Sequence, residues 1–104
     1  MSQTGAGSNP WQGKTIVITG ASSGIGEEAA KQLAGLGAVL CLVARRAEEL
    51  ERVKNDITAA GGIAHCYPTN LADVASTEAC IAALKQDHPV IDVLVNNAGR
   101  SIRR

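Results

Sequence analysis

The sequence predicts an α/β domain built around a parallel sheet, and two observations carry that prediction. Short apolar runs rich in β-branched residues alternate with segments whose apolar residues recur at helical spacing. The apolar runs do not alternate with polar residues, which is typical of strands that are covered on both faces. Short connections between such strands favour right-handed crossovers and a parallel sheet. We therefore expect a doubly wound sheet, or the first half of one.

Glycines and a capping residue divide the chain into these elements. Gly37 and the Gly61-Gly62 pair are expected to end the first two helices, and Asp73 is expected to cap the third. Strands are expected at residues 14–19, 39–44, 63–67 and 90–95. The apolar helix faces are expected to be Ile25, Ala29, Leu33 and Leu36, then Leu50, Val53 and Ile57, then Thr77, Ile81 and Leu84.

Composition restricts the classes of function. Lysine plus arginine (10) balance aspartate plus glutamate (10), so net charge favours neither nucleic acid nor an anionic membrane as a partner. No apolar stretch approaches the length of a membrane span. The cysteines show no CxxC spacing and the histidines no metal-ligand spacing, so we expect no metal and a reducing, cytoplasmic compartment. Residues 1–10, small and polar, are expected to form a disordered tail.

A glycine-rich turn, GASSGIG at residues 20–26, joins the first strand to the first helix. The unpaired N–H groups and the dipole at a helix start favour an anion, the dipole by roughly 0.3–1 kcal/mol. Glycines let the main chain approach a pyrophosphate, and Ser22 and Ser23 add hydroxyl donors. The turn lacks the GK[ST] ending of a nucleoside-triphosphate loop. It is either a dinucleotide-binding turn, which its position favours, or a turn kept for packing.

A second motif, NNAG at residues 96–99, follows the fourth predicted strand. In a doubly wound sheet ordered 3-2-1-4, the first and fourth strands are neighbours, and their carboxyl ends flank the crevice where ligands bind. The glycine turn and the NNAG motif are therefore expected at one edge of the sheet.

With both motifs at this spacing, the chain resembles the N-terminal half of the classical short-chain dehydrogenase/reductase family. The resemblance covers residues 11–104 and implies a partial NADP-binding domain with a Rossmann-like doubly wound parallel sheet, in which four strands in the order 3-2-1-4 accompany three helices. It implies hydride transfer between a nicotinamide dinucleotide and a carbonyl or alcohol substrate. The cofactor-binding residues that it implies are Gly20, Ser22, Gly24, Ile25, Gly26, Asn96, Ala98 and Gly99, with Asn96 also bracing the sheet.

The end of the second strand indicates which cofactor is bound. Enzymes that choose NAD place an acidic residue there, whereas this chain has Ala44 followed by Arg45 and Arg46. A guanidinium holds a 2′-phosphate with paired, charge-assisted bonds. We expect NADP(H), with Arg45 in contact and Arg46 outward or sharing the charge. The alternative is two exposed arginines that open a helix.

One position departs from the family pattern. Where the family has an aspartate that contacts the adenine amino group, this chain has Asn70, followed by Leu71. An amide oxygen can accept the same bond, so both residues are assigned to the cofactor site.

The catalytic groups that the resemblance implies are a tyrosine, a lysine, a serine and an asparagine beyond the fourth strand, and no residue of this chain is assigned to those roles. Tyr67 is followed by Pro68 and has no lysine at the required spacing. We therefore expect a fragment, a truncated chain or split reading frame, that is inactive alone. An NADP(H)-sensing module and a structural half-domain that complements another chain are the alternatives.

The end of the sequence bears on substrate and partner. NNAGRSIRR resembles bacterial reductases that act on long-chain acyl thioesters and fatty aldehydes. Arg100, Arg103 and Arg104 either serve an acidic acyl carrier or begin a solvated helix. An unpaired apolar strand at residues 90–95 is expected to cause self-association or pairing with a complementing C-terminal half.

Overall fold

The computed structural model describes residues 9–97, so the predicted tail at residues 1–10 and the end of the predicted domain lie partly outside it. In the described residues, four strands alternate with three helices. The strands are β1 (Thr15–Thr19), β2 (Val39–Ala44), β3 (Ile63–Pro68) and β4 (Val93–Asn96), and the helices are α1 (Gly24–Gly35), α2 (Ala47–Ala59) and α3 (Val74–Asp87).

The sheet has the predicted topology. All its strand pairs are parallel, and their order is β3-β2-β1-β4. Thr19 at the end of β1 lies opposite Val43 in β2 and Asn96 in β4. The carboxyl ends of these three strands are therefore level, and the loops that follow them meet at one edge of the sheet.

One face of the sheet carries a continuous apolar core under α1 and α2. Ile16, Ile18, Leu40 and Leu42 are fully buried there. Each such side chain contributes roughly 1.5–3 kcal/mol by leaving water. The helix α2 packs on this core with the predicted residues Leu50, Val53 and Ile57.

The predicted face of α1 is correct in part. Ala29 and Leu33 are half-buried and pack against the core, but Ile25 is 76% exposed and Leu36 is 43% exposed. The residues that the helix buries fully are the small Gly26, Ala30 and Ala34. Small side chains bring the helix axis close to the strands, because they leave little between the two backbones. The large residues of the predicted stripe therefore lie at the border of the contact or outside it.

The opposite face is covered by α3 alone among the described residues. Val17, Cys41 and Val43 pack against Cys80 and Leu84 of the helix. Thr77 is half-buried, but Ile81, predicted to be buried, is 46% exposed. A cavity of about 550 Å³ separates α3 from the end of β4, where Leu94 is 64% exposed.

The fourth strand begins later than predicted, at Val93 instead of residue 90. Asp92 donates its amide to the Thr15 carbonyl at 2.9 Å and accepts the Thr15 amide on its carboxylate, also at 2.9 Å. The Asp92 carboxylate thus takes the place of a backbone acceptor at the start of the hydrogen-bond ladder between β1 and β4. Val90 and Ile91 stay outside the strand and are exposed.

Cys41, Cys66 and Cys80 are free thiols, and burial raises the pKa of Cys41 to about 11. None of the helices within residues 9–97 is long and apolar enough to cross a membrane.

The cap of α3 gives a first test of the fold. The Asp73 carboxylate accepts the Ser76 amide at 2.9 Å, as the sequence predicts. We expect Asp73→Ala to lower the free energy of unfolding by about 1 kcal/mol, because it leaves that amide without its acceptor. Urea denaturation followed by circular dichroism measures this. Glu78→Ala, on an exposed part of the same helix, is the control, and an equal loss in both variants would contradict the assignment.

Candidate functional site

The glycine turn lies between β1 and α1 at the carboxyl edge of the sheet. The amides of Gly20 and Ala21 both donate to the Val43 carbonyl, at 2.8 and 3.3 Å, which fastens the end of β1 to β2. Gly20 and Gly24 have φ angles of 67° and 57°. Side chains disfavour this left-handed conformation, so the turn requires glycine at these two positions.

Gly26 is required by close approach. A Cβ at this position would collide with the Gly20 carbonyl oxygen and would lie 2.8 Å from Asn97 Nδ2. The first turn of α1 therefore packs directly on the backbone that leaves β1. The same contact brings the loop after β4 to the start of the helix.

Within residues 9–97, no side chain caps the amino end of α1. Ser23 occupies the N-cap position, but its side chain makes no capping hydrogen bond. In the described part of the chain, the amides of residues 22–26 have no hydrogen-bond acceptor. The amino end of α3, in contrast, is capped by the Asp73 side chain. A set of open amides at a positive helix end fits an anionic group such as a pyrophosphate.

A cavity of about 330 Å³ lies beside this turn, at the carboxyl ends of β2 and β3. Its basic side chains, Arg45 and Arg46, are both exposed and follow the buried Ala44. No carboxylate lines it among the residues that the structure describes. The cavity brings together six predicted site residues: Gly20, Ser22, Arg45, Arg46, Asn70 and Leu71.

The loop after β3 is fixed by Thr69, which sequence analysis missed. Thr69 is 4% exposed; its amide donates to the Ala44 carbonyl at 2.7 Å and its hydroxyl to the Tyr67 carbonyl at 2.9 Å. Asn70 is half-buried, and its side-chain oxygen accepts the Ala72 amide at 3.1 Å. That oxygen therefore helps to shape the loop, and its second lone pair remains for a ligand.

The two asparagines of the NNAG motif have different contacts. The Thr19 hydroxyl donates to Asn96 Oδ1 at 2.9 Å, which links β1 to β4. Asn97 Nδ2 donates to the Gly20 carbonyl at 3.2 Å, so Asn97 joins the end of β4 to the glycine turn. The sequence analysis did not assign Asn97, which directly follows the last residue of β4. Successive side chains along an extended chain point in opposite directions, which could have indicated different roles for the two asparagines. The predicted site residues Ala98 and Gly99, like Arg100, Arg103 and Arg104, lie outside the described residues.

An ionic cluster lies against the same turn. Arg52 of α2 contacts both carboxylate oxygens of Glu27, at 3.0 and 3.1 Å, and Lys31 contacts Glu27 at 2.7 Å. Arg52 also donates to the Ser22 carbonyl at 3.1 Å. Hydrogen bonds from Arg52 first, and from Lys31 second, lower the pKa of Glu27 from its usual value near 4.5 to about 2. Glu27 is therefore ionised at neutral pH.

Sequence comparison identifies relatives of known class. A family model described as short chain dehydrogenase matches residues 14–104. An uncharacterized oxidoreductase of Mycobacterium tuberculosis is 49% identical over 96 residues, which cover 89% of this chain and 28% of that relative. A fatty acyl-CoA reductase of Acinetobacter baylyi is 46% identical over 93 residues, which cover 89% of this chain and 32% of that relative. The chain thus spans about a third or less of the length of these curated relatives.

Solved structures with the same fold carry different cofactors. A metagenomic short-chain oxidoreductase in complex with NADP has a TM-score of 0.81 at 42% identity, over 85% of this chain and 40% of that one. An NADH-dependent reductase complexed with NAD has a TM-score of 0.78 at 32% identity, over 88% of this chain and 38% of that one.

The lowered pKa of Glu27 predicts a pH effect on stability. A carboxyl group whose pKa is lower in the folded chain stabilises it above about pH 4.5, and that stabilisation is lost as the pH falls toward 2. We expect Glu27→Gln to be less stable than the unmodified chain at pH 7 and to lose less stability on acidification. Thermal melts across this pH range measure both.

The matched control for this test is Glu28→Gln. The Glu28 carboxylate accepts a hydrogen bond from Gln32 at 2.9 Å, and it pairs with no cation among the described residues. We expect this variant to keep the acid-dependent loss of the unmodified chain. If Glu27→Gln keeps it too, the ionic cluster does not stabilise the fold in the way described.

Proposed function

The chain belongs to the short-chain dehydrogenase family, and we propose that it provides the NADP(H)-binding part of an oxidoreductase. When bound, the nicotinamide dinucleotide would supply or accept the hydride that is exchanged with a carbonyl or alcohol substrate. The residues of this chain would bind and orient the cofactor. The observation that carries the proposal is the open amino end of α1 beside a cavity whose charged side chains are arginines.

The pyrophosphate is assigned to the glycine turn. The amides of residues 22–26 are donors without a protein acceptor in the described chain, and the helix dipole favours negative charge at this end. The hydroxyls of Ser22 and Ser23 add further donors. The missing Cβ of Gly26 lets the helix start directly against the end of β1.

The adenosine half is assigned to the cavity at the ends of β2 and β3. Arg45 and Arg46 would bind a 2′-phosphate there, and Asn70 and Leu71 would contact the adenine. An NADP complex and an NAD complex both occur among the similar structures, so fold similarity alone does not choose between the cofactors. The choice of NADP(H) rests on two arginines where an acidic residue would favour NAD.

The substrate can be proposed only as a chemical class. Reduction of acyl thioesters or fatty aldehydes is supported by the NNAGRSIRR resemblance and by the similarity to a fatty acyl-CoA reductase. The tyrosine, lysine, serine and asparagine of the family are assigned to segments beyond this chain. We therefore expect the chain alone to bind the cofactor without catalysing hydride transfer.

A charge reversal tests the cofactor assignment. We expect Arg45→Asp to weaken NADPH binding by roughly ten- to hundredfold, because a carboxylate replaces a charge-assisted contact to the 2′-phosphate. NADH lacks that phosphate, so its affinity should hold or rise. Isothermal titration calorimetry with both nucleotides measures the ratio of the two dissociation constants.

The control for Arg45→Asp is Lys14→Asp, which makes the same change of charge before the amino end of β1. We expect it to leave the ratio unaltered. An unchanged ratio in Arg45→Asp would refute the NADP(H) assignment, and a chain that binds neither nucleotide would refute cofactor binding itself.

A partner is proposed at β4. This strand pairs with β1 on one side, and no strand pairs with its other side among the residues that the structure describes. Leu94 is 64% exposed, and the 550 Å³ cavity continues the apolar surface toward α3. Such an edge favours pairing with a further strand. The partner would be a complementing C-terminal half or, for the chain alone, a second copy.

Self-association gives the test of this surface. We expect the isolated chain to form dimers or larger species at high concentration, and Leu94→Glu to shift it toward the monomer because a charge opposes edge pairing. Light scattering coupled to size exclusion measures the mass. Ile63→Glu, at the other edge of the sheet where Ile63 is 53% exposed, is the control. A monomeric unmodified chain would contradict the proposal.

A further inference from the structure

We propose that Arg52 is a positioning residue for the phosphate-binding turn: it holds the Ser22 carbonyl and pairs with Glu27, so that the turn presents its amides to an anion. This inference rests on the proposed cofactor site and concerns the part of that site which NADPH and NADH share. Neither the glycine motif nor the residues at the end of β2 include Arg52.

The guanidinium of Arg52 joins three parts of the chain. It donates to the Ser22 carbonyl in the turn at 3.1 Å and forks onto the Glu27 carboxylate in α1 at 3.0 and 3.1 Å. It also contacts Glu49 on its own helix at 3.2 Å. Only a planar group with several fixed donors can make these contacts together.

The contact with Ser22 fixes the direction of an amide. In a planar trans peptide, the carbonyl of one residue and the N–H of the next point in opposite directions. Arg52 draws the Ser22 carbonyl toward α2, so the Ser23 N–H points away from α2. That amide has no acceptor in the described chain and belongs to the donor set assigned to the pyrophosphate. Without Arg52, the peptide between these two serines would lose the side-chain bond that orients it.

The contact with Glu27 has an electrostatic consequence. A carboxylate in the first turn favours the helix but repels an anion bound at the same end, since the two lie well within a Debye length of about 8–10 Å. The pKa of Glu27 is lowered to about 2, so it keeps its charge at neutral pH. Arg52 and Lys31 balance that charge at the carboxylate itself. Removal of Arg52 would leave Lys31 as the remaining cation on Glu27 within the described chain.

Fold stability accounts for only part of this cluster. The Glu27 side chain is 19% exposed and its pairing stabilises the folded chain, but the Arg52 side chain is 46% exposed, and exposed ion pairs contribute less. Arg52 also does not line the 330 Å³ cavity that is assigned to the 2′-phosphate and adenine. Its effect on affinity should therefore be the same for a cofactor with the 2′-phosphate and for one without it.

The test measures NADPH and NADH binding to the 104-residue chain and its variants by calorimetry, at a temperature where each variant is folded by circular dichroism. We expect Arg52→Gln to raise both dissociation constants by a similar factor, roughly tenfold. The double variant Glu27→Gln/Arg52→Gln should recover part of that loss, because the uncompensated carboxylate is gone. Lys54→Gln removes a cation from the same helix and should change neither constant.

Two further measurements separate positioning from general destabilisation. Arg52→Lys keeps the charge but cannot contact Ser22 and Glu27 together, so its affinity for both nucleotides should lie between those of the unmodified chain and Arg52→Gln. If Arg52→Gln does not fold, the comparison is made with Arg52→Lys alone. The Ser23 amide resonance should shift in Arg52→Gln without any nucleotide and stay unchanged in Lys54→Gln.

Defined outcomes would overturn the inference. Unchanged affinities in a folded Arg52→Gln would do so, as would a loss confined to NADPH, which would make Arg52 a ligand of the 2′-phosphate. If the double variant binds the nucleotides no more tightly than Arg52→Gln does, Glu27 does not repel the cofactor, and the electrostatic part of the inference is wrong. If the unmodified chain binds neither nucleotide, the proposed function itself fails, which is distinct from a failure of Arg52 alone.

Discussion

The close approach of α1 to the end of β1 is the constraint on which the candidate site depends. It exists because Gly26 has no Cβ, and the space that a side chain would occupy holds the Gly20 carbonyl and lies near Asn97 Nδ2. Asn97 bonds the same carbonyl from the loop after β4. One glycine therefore determines where the helix starts, and with it where the unpaired amides of the turn lie relative to three strand ends. A larger residue at position 26 would push the start of α1 away from the end of β1 and from Asn97, even if it touched no ligand.

The turn has two opposing electrostatic requirements. An uncapped helix start forgoes about 0.5–2 kcal/mol of capping, which leaves its amides for a ligand. Glu27 compensates the helix dipole in place of a cap, but the same carboxylate would repel the anionic ligand that is proposed to bind there. Lys31 of α1 and Arg52 of α2 would reduce this conflict, because both pair with the Glu27 carboxylate and balance its charge. The ionic cluster would thus reconcile helix stability with the proposed binding of a pyrophosphate.

Most of the fold was predictable, the elements from periodicity and local chemistry and their arrangement from the family resemblance. The strand order was predicted through the family resemblance, Leu50, Val53 and Ile57 through their spacing, and the cap of α3 from Asp73. The buried face of α1 was not predictable in this way, because periodicity marks large apolar residues and the real contact uses glycine and alanine. The late start of β4 and the contacts of Asn97, Thr69 and Arg52 depend on residues distant in sequence. No pattern of neighbouring residues in the sequence predicts contacts of this kind.

The two faces of the sheet differ in how much apolar surface is packed against them, and this difference determines which part of the fold a bound cofactor would stabilise. The residues assigned to the pyrophosphate and the 2′-phosphate belong to β1, α1 and β2 or the turns beside them, above the continuous core under α1 and α2. The α3 side has a smaller core and an open cavity beside Leu94. A ligand that binds the folded chain stabilises it by about 2.7 kcal/mol at a hundred times its dissociation constant. The phosphates of the cofactor would therefore reinforce the better-packed half directly, whereas α3 would gain through the adenine contacts assigned to Asn70 and Leu71 in the loop before it.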